Sequence, residues 1–178
     1  MPDEPAPADP GANERPYGTN LDAFVAGLKV KLAEHDAALA KRYWERANVE
    51  PLIAQRSALL DDLLTQVWTH HLAEPAGKEL ALFAVGGYGR SEQFPHSDVD
   101  LLVVYEGELS PYVAAISERL QYWMWDAGLT IGCATRTSAE TVELGREDNT
   151  VRTAVLTARF LCGDGEFFHR FSDTIRHE

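Results

Sequence analysis

Two apolar runs, Leu80–Val85 and Val99–Tyr105, constrain this chain more than any other feature. Both are short and continuous, and the first stops at a pair of glycines. Neither alternates with polar residues, so each predicts a strand buried on both faces. A sheet of such strands needs cover on two sides, and helical patterns flank it in the sequence. Leu21, Phe24, Val25, Leu28 and Leu32 fall at three- and four-residue steps, with Asn20 as the expected cap. A second helix is expected to begin at Pro51 and end near Leu72, its stripe running through Leu52, Leu59, Leu60, Leu63, Leu64, Val67 and Trp68. After the second strand, Val113, Ile116, Leu120, Trp123 and Met124 mark one face of a helix crossing behind the sheet to a third strand, Leu129–Thr137. The series Val151, Ala154, Val155, Ala158 and Leu161 predicts a further helix, capped by Asn149 or Thr150 and stopped by Gly163.

Composition narrows the function classes. The 178 residues, 45% of them hydrophobic, suffice for one well-packed domain with a helical appendage. Apolar runs stay far below the roughly 18–20 residues that span a bilayer, and the first twenty residues lack a signal-peptide layout. A cytoplasmic protein with no membrane partner is the expectation. Cys133 and Cys162 are too few and too isolated for a metal cluster and are expected to be free thiols. Sixteen basic against 28 acidic residues give a net charge of −12, which argues against a nucleic-acid partner. Residues 1–20 hold five of the nine prolines and four carboxylates, and are expected to stay disordered. His35-Asp36 is set aside as a solvated helix position without further histidines at sensible distances, and His70-His71 as a metal site, since adjacent residues on a helix point about 100° apart.

Between the two strands lies the sequence that points to chemistry. Gly86-Gly87 permits positive φ and lets backbone amides approach a ligand, and Tyr88–Glu92 is expected to form a brief helix. Amides at such a turn, with the Arg90 guanidinium, suit a polyphosphate. Ser97-Asp98-Val99-Asp100 then enters the second strand. Residues i and i+2 project to one face, so both carboxylates converge while Val99 enters the core. Two like charges at the edge of an apolar sheet are costly unless a cation joins them. Mg²⁺ fits, because it takes hard oxygen ligands, usually one or two protein carboxylates with water and substrate phosphates.

Gly-Gly, a short helix and an Asp-x-Asp strand together resemble the signature of the polymerase-β-like nucleotidyltransferase superfamily. The blocks AVGGYGR, PHSDVDLLVVY, WMWDAGLTIGCATRT and REDNTVRTAVLTARFLCGD are similar to the amino-terminal domain of the bacterial PII uridylyltransferase/uridylyl-removing family, over roughly Leu21 to Phe171. That resemblance implies an α+β fold: a small mixed sheet flanked by helices, an N-terminal helical segment over 21–76, a nucleotidyltransferase core over 77–138 and C-terminal helices over 139–178 that begin a truncated helical domain. It implies transfer of UMP from UTP to a tyrosine hydroxyl of a PII-type signalling protein, releasing pyrophosphate. Asp98 and Asp100 would hold Mg²⁺, with Gly86, Gly87, Arg90, Ser91 and Ser97 around the nucleotide.

Two departures from the family pattern stand out. Ser91 occupies a position where glycine is expected, followed by Glu92-Gln93-Phe94, and Cys133 stands on the later strand where relatives often carry a histidine or another polar residue. Superfamily members frequently place a third carboxylate on that strand, and LTIGCATRT has none; Asp126, Glu140 and Glu147 are the unranked candidates. The nucleobase is not fixed by these residues, so ATP stays open beside UTP. Two other readings also fit: a non-catalytic nucleotide- or partner-binding fragment, and adenylyl transfer from ATP to a PII protein or a small molecule.

Overall fold

The computed structural model describes residues 19–69 and 79–177, with side chains from residue 23 onward. The expected tail lies outside the described residues as far as residue 18, and so do His70, His71 and Leu72. The elements run α1 (Thr19–Trp44), α2 (Val49–Val67), β1 (Leu80–Ala84), α3 (Gly86–Gly89), β2 (Val99–Tyr105), α4 (Pro111–Asp126), β3 (Ile131–Thr137), α5 (Ser138–Glu147), α6 (Asn149–Leu156), β4 (Arg159–Gly163) and α7 (Gly165–His177). The strands form one mixed sheet in the order β3-β2-β1-β4, with β2 and β4 antiparallel to β1 and β3 parallel to β2. This is the α+β architecture expected.

The period-two geometry of the strands divides the core. Leu82 and Ala84 of β1, with Val99, Leu101 and Val103 of β2, face a core closed by α1, α2 and α4 through Leu28, Leu60, Leu64, Ile116 and Leu120. Ala81, Phe83, Leu102 and Val104 face the other way, against Val155 of α6 and Phe167 and Phe171 of α7. The Phe83 and Phe171 rings meet edge to face at 5.3 Å. Side chains of this size contribute about 1.5–3 kcal/mol each when fully buried. Asp100 belongs to the second face, two residues before Leu102.

Several local expectations change. α1 begins at Thr19, so Asn20 lies inside its first turn. α2 begins at Val49, ahead of Pro51, because the Asn48 carboxamide oxygen accepts from the Glu50 amide at 3.3 Å. Asp36 is not merely solvated: it accepts from Nη2 of buried Arg56 at 3.0 Å and ties α1 to α2. α6 is capped by Asp148, whose Oδ1 accepts from the Thr150 amide at 2.7 Å, in place of Asn149 or Thr150. The largest correction concerns the helix expected to run to Gly163. It stops at Leu156, and Arg159–Gly163 forms β4 along the other edge of β1. A buried strand such as β1 needs hydrogen-bond partners for its backbone on both sides, which outweighs local periodicity. Gly163 ends a strand: at φ +107° its Cα lies against β1, and a Cβ there would fall 2.4 Å from the Leu80 carbonyl oxygen.

Candidate active site

β1 ends where the site begins. The Val85 amide donates to the Asp100 carbonyl at 3.0 Å, setting the glycine turn beside the start of β2. Gly86 adopts φ +60°, and α3 covers Gly86–Gly89 in place of the expected Tyr88–Glu92. The first bond of this turn runs from the Gly89 amide to the Val85 carbonyl at 2.9 Å. The amides of Gly86, Gly87 and Tyr88 therefore stay at its open end. Ser91 has φ +60°, the left-handed region that glycine favours, which accounts physically for the glycine expected at this position.

A cleft of about 490 Å³ opens here, within the roughly 300–1,000 Å³ of small-ligand pockets. It gathers Gly87, Arg90, Ser97, Asp98 and Asp100 from the expected set. Gly86 touches it through Asp100, whereas Ser91 is not among the residues lining it. The Asp100 carboxylate is held between two glycines. A Cβ on Gly86 would lie 3.0 Å from its Oδ2, and one on Gly132, its neighbour across β3, 3.0 Å from its Oδ1. Burial, then the charge of Asp98, pushes the Asp100 carboxyl above the usual carboxylate range. Among the described residues neither carboxylate receives a hydrogen bond or an ion pair. Two hard oxygen groups, mutually repelling and open to a cleft, fit a Mg²⁺ ion completed by water and phosphate oxygens.

Parity along β3 settles which residue could have supplied a third carboxylate. Gly132, not Cys133, stands beside Asp100. Cys133 points to the opposite face, where the Ser117 hydroxyl donates to its Sγ at 3.4 Å and burial raises its thiol. Glu140 is engaged elsewhere: it accepts from the Thr137 amide and hydroxyl at 2.8 and 2.9 Å as the capping box of α5, which lowers its carboxyl. Among the described residues no three His, Cys, Asp or Glu side chains are grouped to hold a metal, so neither Asp126 nor Glu147 completes such a set.

Residues not anticipated from the sequence hold the site in place. Tyr88 is buried, and its hydroxyl donates to Asp61 of α2 at 2.6 Å; burial, then the Asp61 charge, raises its pKa well above the ordinary value. Arg159 of β4 donates to both Asp61 oxygens, at 2.6 and 3.0 Å, and to the Tyr88 carbonyl at 3.3 Å. Its guanidinium also lies 5.4 Å from the centre of the Tyr88 ring. On the cleft's other side, buried Gln93 donates from Nε2 to the carbonyls of Ser97 at 2.9 Å and Asp98 at 3.1 Å, fixing the backbone that presents the first carboxylate. His96 lines the cleft with φ +65°. Tyr88 carried a sequence signal in its place directly after the glycine pair; Asp61 and Arg159 carried none.

With this geometry in view, comparison with known proteins is informative. A family model described as "Putative nucleotidyltransferase DUF294" matches residues 34–153. The chain belongs to this nucleotidyltransferase family. The match covers α2 through most of α6 and so includes the whole cleft. Among relatives of this nucleotidyltransferase, a bifunctional uridylyltransferase/uridylyl-removing enzyme of Nitrosospira multiformis is 37% identical over 167 residues, covering 90% of this chain and 18% of the relative. One of the same name from Burkholderia vietnamiensis is 43% identical over 156 residues, covering 88% and 17%. The chain thus spans less than a fifth of the length of these curated relatives. A solved toxin–antitoxin structure with AMP-PNP aligns at 13% identity with a TM-score of 0.42, covering 66% of this chain and 84% of that one, too distant to carry weight. Among the described residues no helix is long and apolar enough to cross a membrane.

Proposed function

We propose that this chain is a Mg²⁺-dependent nucleotidyltransferase module that moves UMP from UTP to a tyrosine hydroxyl of a PII-type signalling protein in the cytoplasm. The observation that carries the reading is the pair Asp98 and Asp100, on one face at the start of β2 and beside a glycine turn with open amides. The names of the relatives favour uridylyl transfer, and the sequence resemblance favours a PII acceptor. Net charge of −12 disfavours a nucleic-acid acceptor.

In the reaction, the tyrosine oxygen forms a bond to the α-phosphorus of UTP, the bond to the β-phosphate oxygen breaks, pyrophosphate leaves and the phenolic proton is lost to solvent. Asp98 and Asp100 would hold the cation, Gly86 and Gly87 admit the polyphosphate to the backbone, and Arg90 and Ser97 contribute polar contacts, while Ser91, outside the cleft lining, shapes the turn through its positive φ. Mg²⁺, when bound, neutralises triphosphate charge and supplies Lewis-acid polarisation. The protein's share is placement of charge where it develops, of the order of ~2.7–4 kcal/mol for one such contact.

Calorimetric titration with UTP, ATP, CTP and GTP, each with Mg²⁺ or EDTA, tests this on the chain and on its Asp98→Asn/Asp100→Asn variant. Metal-dependent binding selective for UTP, lost in the variant, followed by label transfer to PII protein, is the expected result. A folded chain that binds no nucleotide, or a variant that binds as well as the parent, sinks the proposal. Selective binding of ATP would replace uridylyl by adenylyl transfer.

A further inference from the structure

Arg90 is the cleft's permanent cation, and its side chain is fastened at two points. Nε donates to Glu92 Oε2 at 2.8 Å and Nη1 to the Gly86 carbonyl at 3.1 Å. These bonds fix the guanidinium plane and leave Nη2 as its free corner. That corner lies over the glycine turn: a Cβ on Gly87 would sit 3.9 Å from Nη2. Glu92 lines the same cleft, and its own backbone is tied to the turn, its amide donating to the Gly87 carbonyl at 2.9 Å. Carboxylate, guanidinium and glycine turn thus form one ring of contacts around Gly86 and Gly87.

We propose that Glu92 is a positioning residue that presents Arg90 Nη2 to a phosphoryl group at the glycine turn. This deepens the proposed function and rests on it for the identity of the ligand. Both side chains are about half exposed, at 44% and 53%, so the pair adds little to stability and its role lies in orientation. A long arginine side chain loses considerable rotamer freedom on binding, and one already held loses less. Glu92 also cancels the charge of Arg90. The cleft therefore attracts the triphosphate mainly as its cation complex, because Asp98 and Asp100 leave a net negative site.

The test is a double-mutant cycle read by calorimetric affinity for Mg²⁺–UTP. Glu92→Ala removes one of the two fastenings and leaves the guanidinium to turn about its bond to the Gly86 carbonyl, and it is expected to weaken binding by about two- to tenfold, the scale of one side chain that must be immobilised anew. Glu92→Gln keeps an oxygen acceptor for Nε and is expected to retain parental affinity or exceed it, since a negative charge is removed. In an Arg90→Met background Glu92→Ala is expected to change affinity by less than its effect in the parent. Unfolding midpoints should stay at the parental value for both Glu92 variants. Equal or tighter binding by Glu92→Ala overturns the proposal, as does the same loss with and without Arg90. If the parent chain itself binds no nucleotide, the proposed function fails instead.

Discussion

Gly89 gives the sharpest test of how this fold places its site. Its φ is not in the left-handed region, so alanine is conformationally allowed, and helix propensity alone favours alanine by about 0.8–1.0 kcal/mol. Space argues the other way. A Cβ at residue 89 would lie 2.5 Å from the Thr157 carbonyl oxygen and 2.9 Å from that of Ala84. Both are backbone atoms, one following α6 and one ending β1, and neither can swing aside. Overpacking of this kind costs about 1–3 kcal/mol, and two such contacts place it near the upper end. A cost of about 3 less a gain of about 1 leaves Gly89→Ala destabilised by about 2 kcal/mol. For a domain of this size that corresponds to a fall of about 4–8 °C in Tm. Gly27 in α1 is the internal control, since nothing lies within 4 Å of a Cβ there. Gly27→Ala should raise Tm by about 2–4 °C through propensity alone. Thermal unfolding followed by circular dichroism decides between them. A Gly89→Ala Tm at or above the parent refutes the claim that α3 is seated by close backbone approach.

Two further outcomes follow from the cleft. The Asp100 carboxyl is raised by burial and by Asp98, so the folded state binds its proton more readily than the unfolded chain. Its contribution is stabilising below the unfolded carboxylate pKa and is lost as pH rises through the raised folded value. Asp100→Asn is thus expected to raise the metal-free Tm at neutral pH, whereas added Mg²⁺ should raise the parent's Tm and leave the variant's unchanged; an equal Mg²⁺ response in both would contradict it. Gln93→Leu leaves the carbonyls of Ser97 and Asp98 without their donor and should cost about 1–2 kcal/mol in urea unfolding, with weaker Mg²⁺–UTP binding; an unchanged midpoint and affinity would discard this role.

Much of this site was legible because its chemistry is local. Asp98 and Asp100 share a face by strand parity, and the glycine pair marks where backbone must bend, so a few neighbouring residues disclose both features. The strand assignments of Leu80 and Val99 held for a related reason: continuous burial leaves a pattern in the run itself. What stayed hidden depends on partners distant in sequence. The apolar spacing of Val151 to Leu161 fits a helix, yet the vacant edge of β1 drew residues 159–163 into the sheet. Asp36 looked solvated because Arg56 reaches it from another helix. That Gly132, and not Cys133, stands beside Asp100 is a one-residue parity that only the strand pairing fixes.

The bond from Arg159 to the Tyr88 carbonyl spans 71 positions of sequence, and that from Arg159 to Asp61 spans 98. As the chain leaves the ribosome, Asp61 and the glycine turn with Tyr88 emerge well before the arginine that joins them. Helix α2 and the first two strands are then present with an unpaired strand edge and an unanchored Tyr88. Anchoring of the glycine turn to α2 is accordingly completed only when β4 docks, and a nascent chain cut short of residue 159 would carry every residue of the Gly-Gly and Asp-x-Asp signature without the arginine that ties Tyr88 to Asp61.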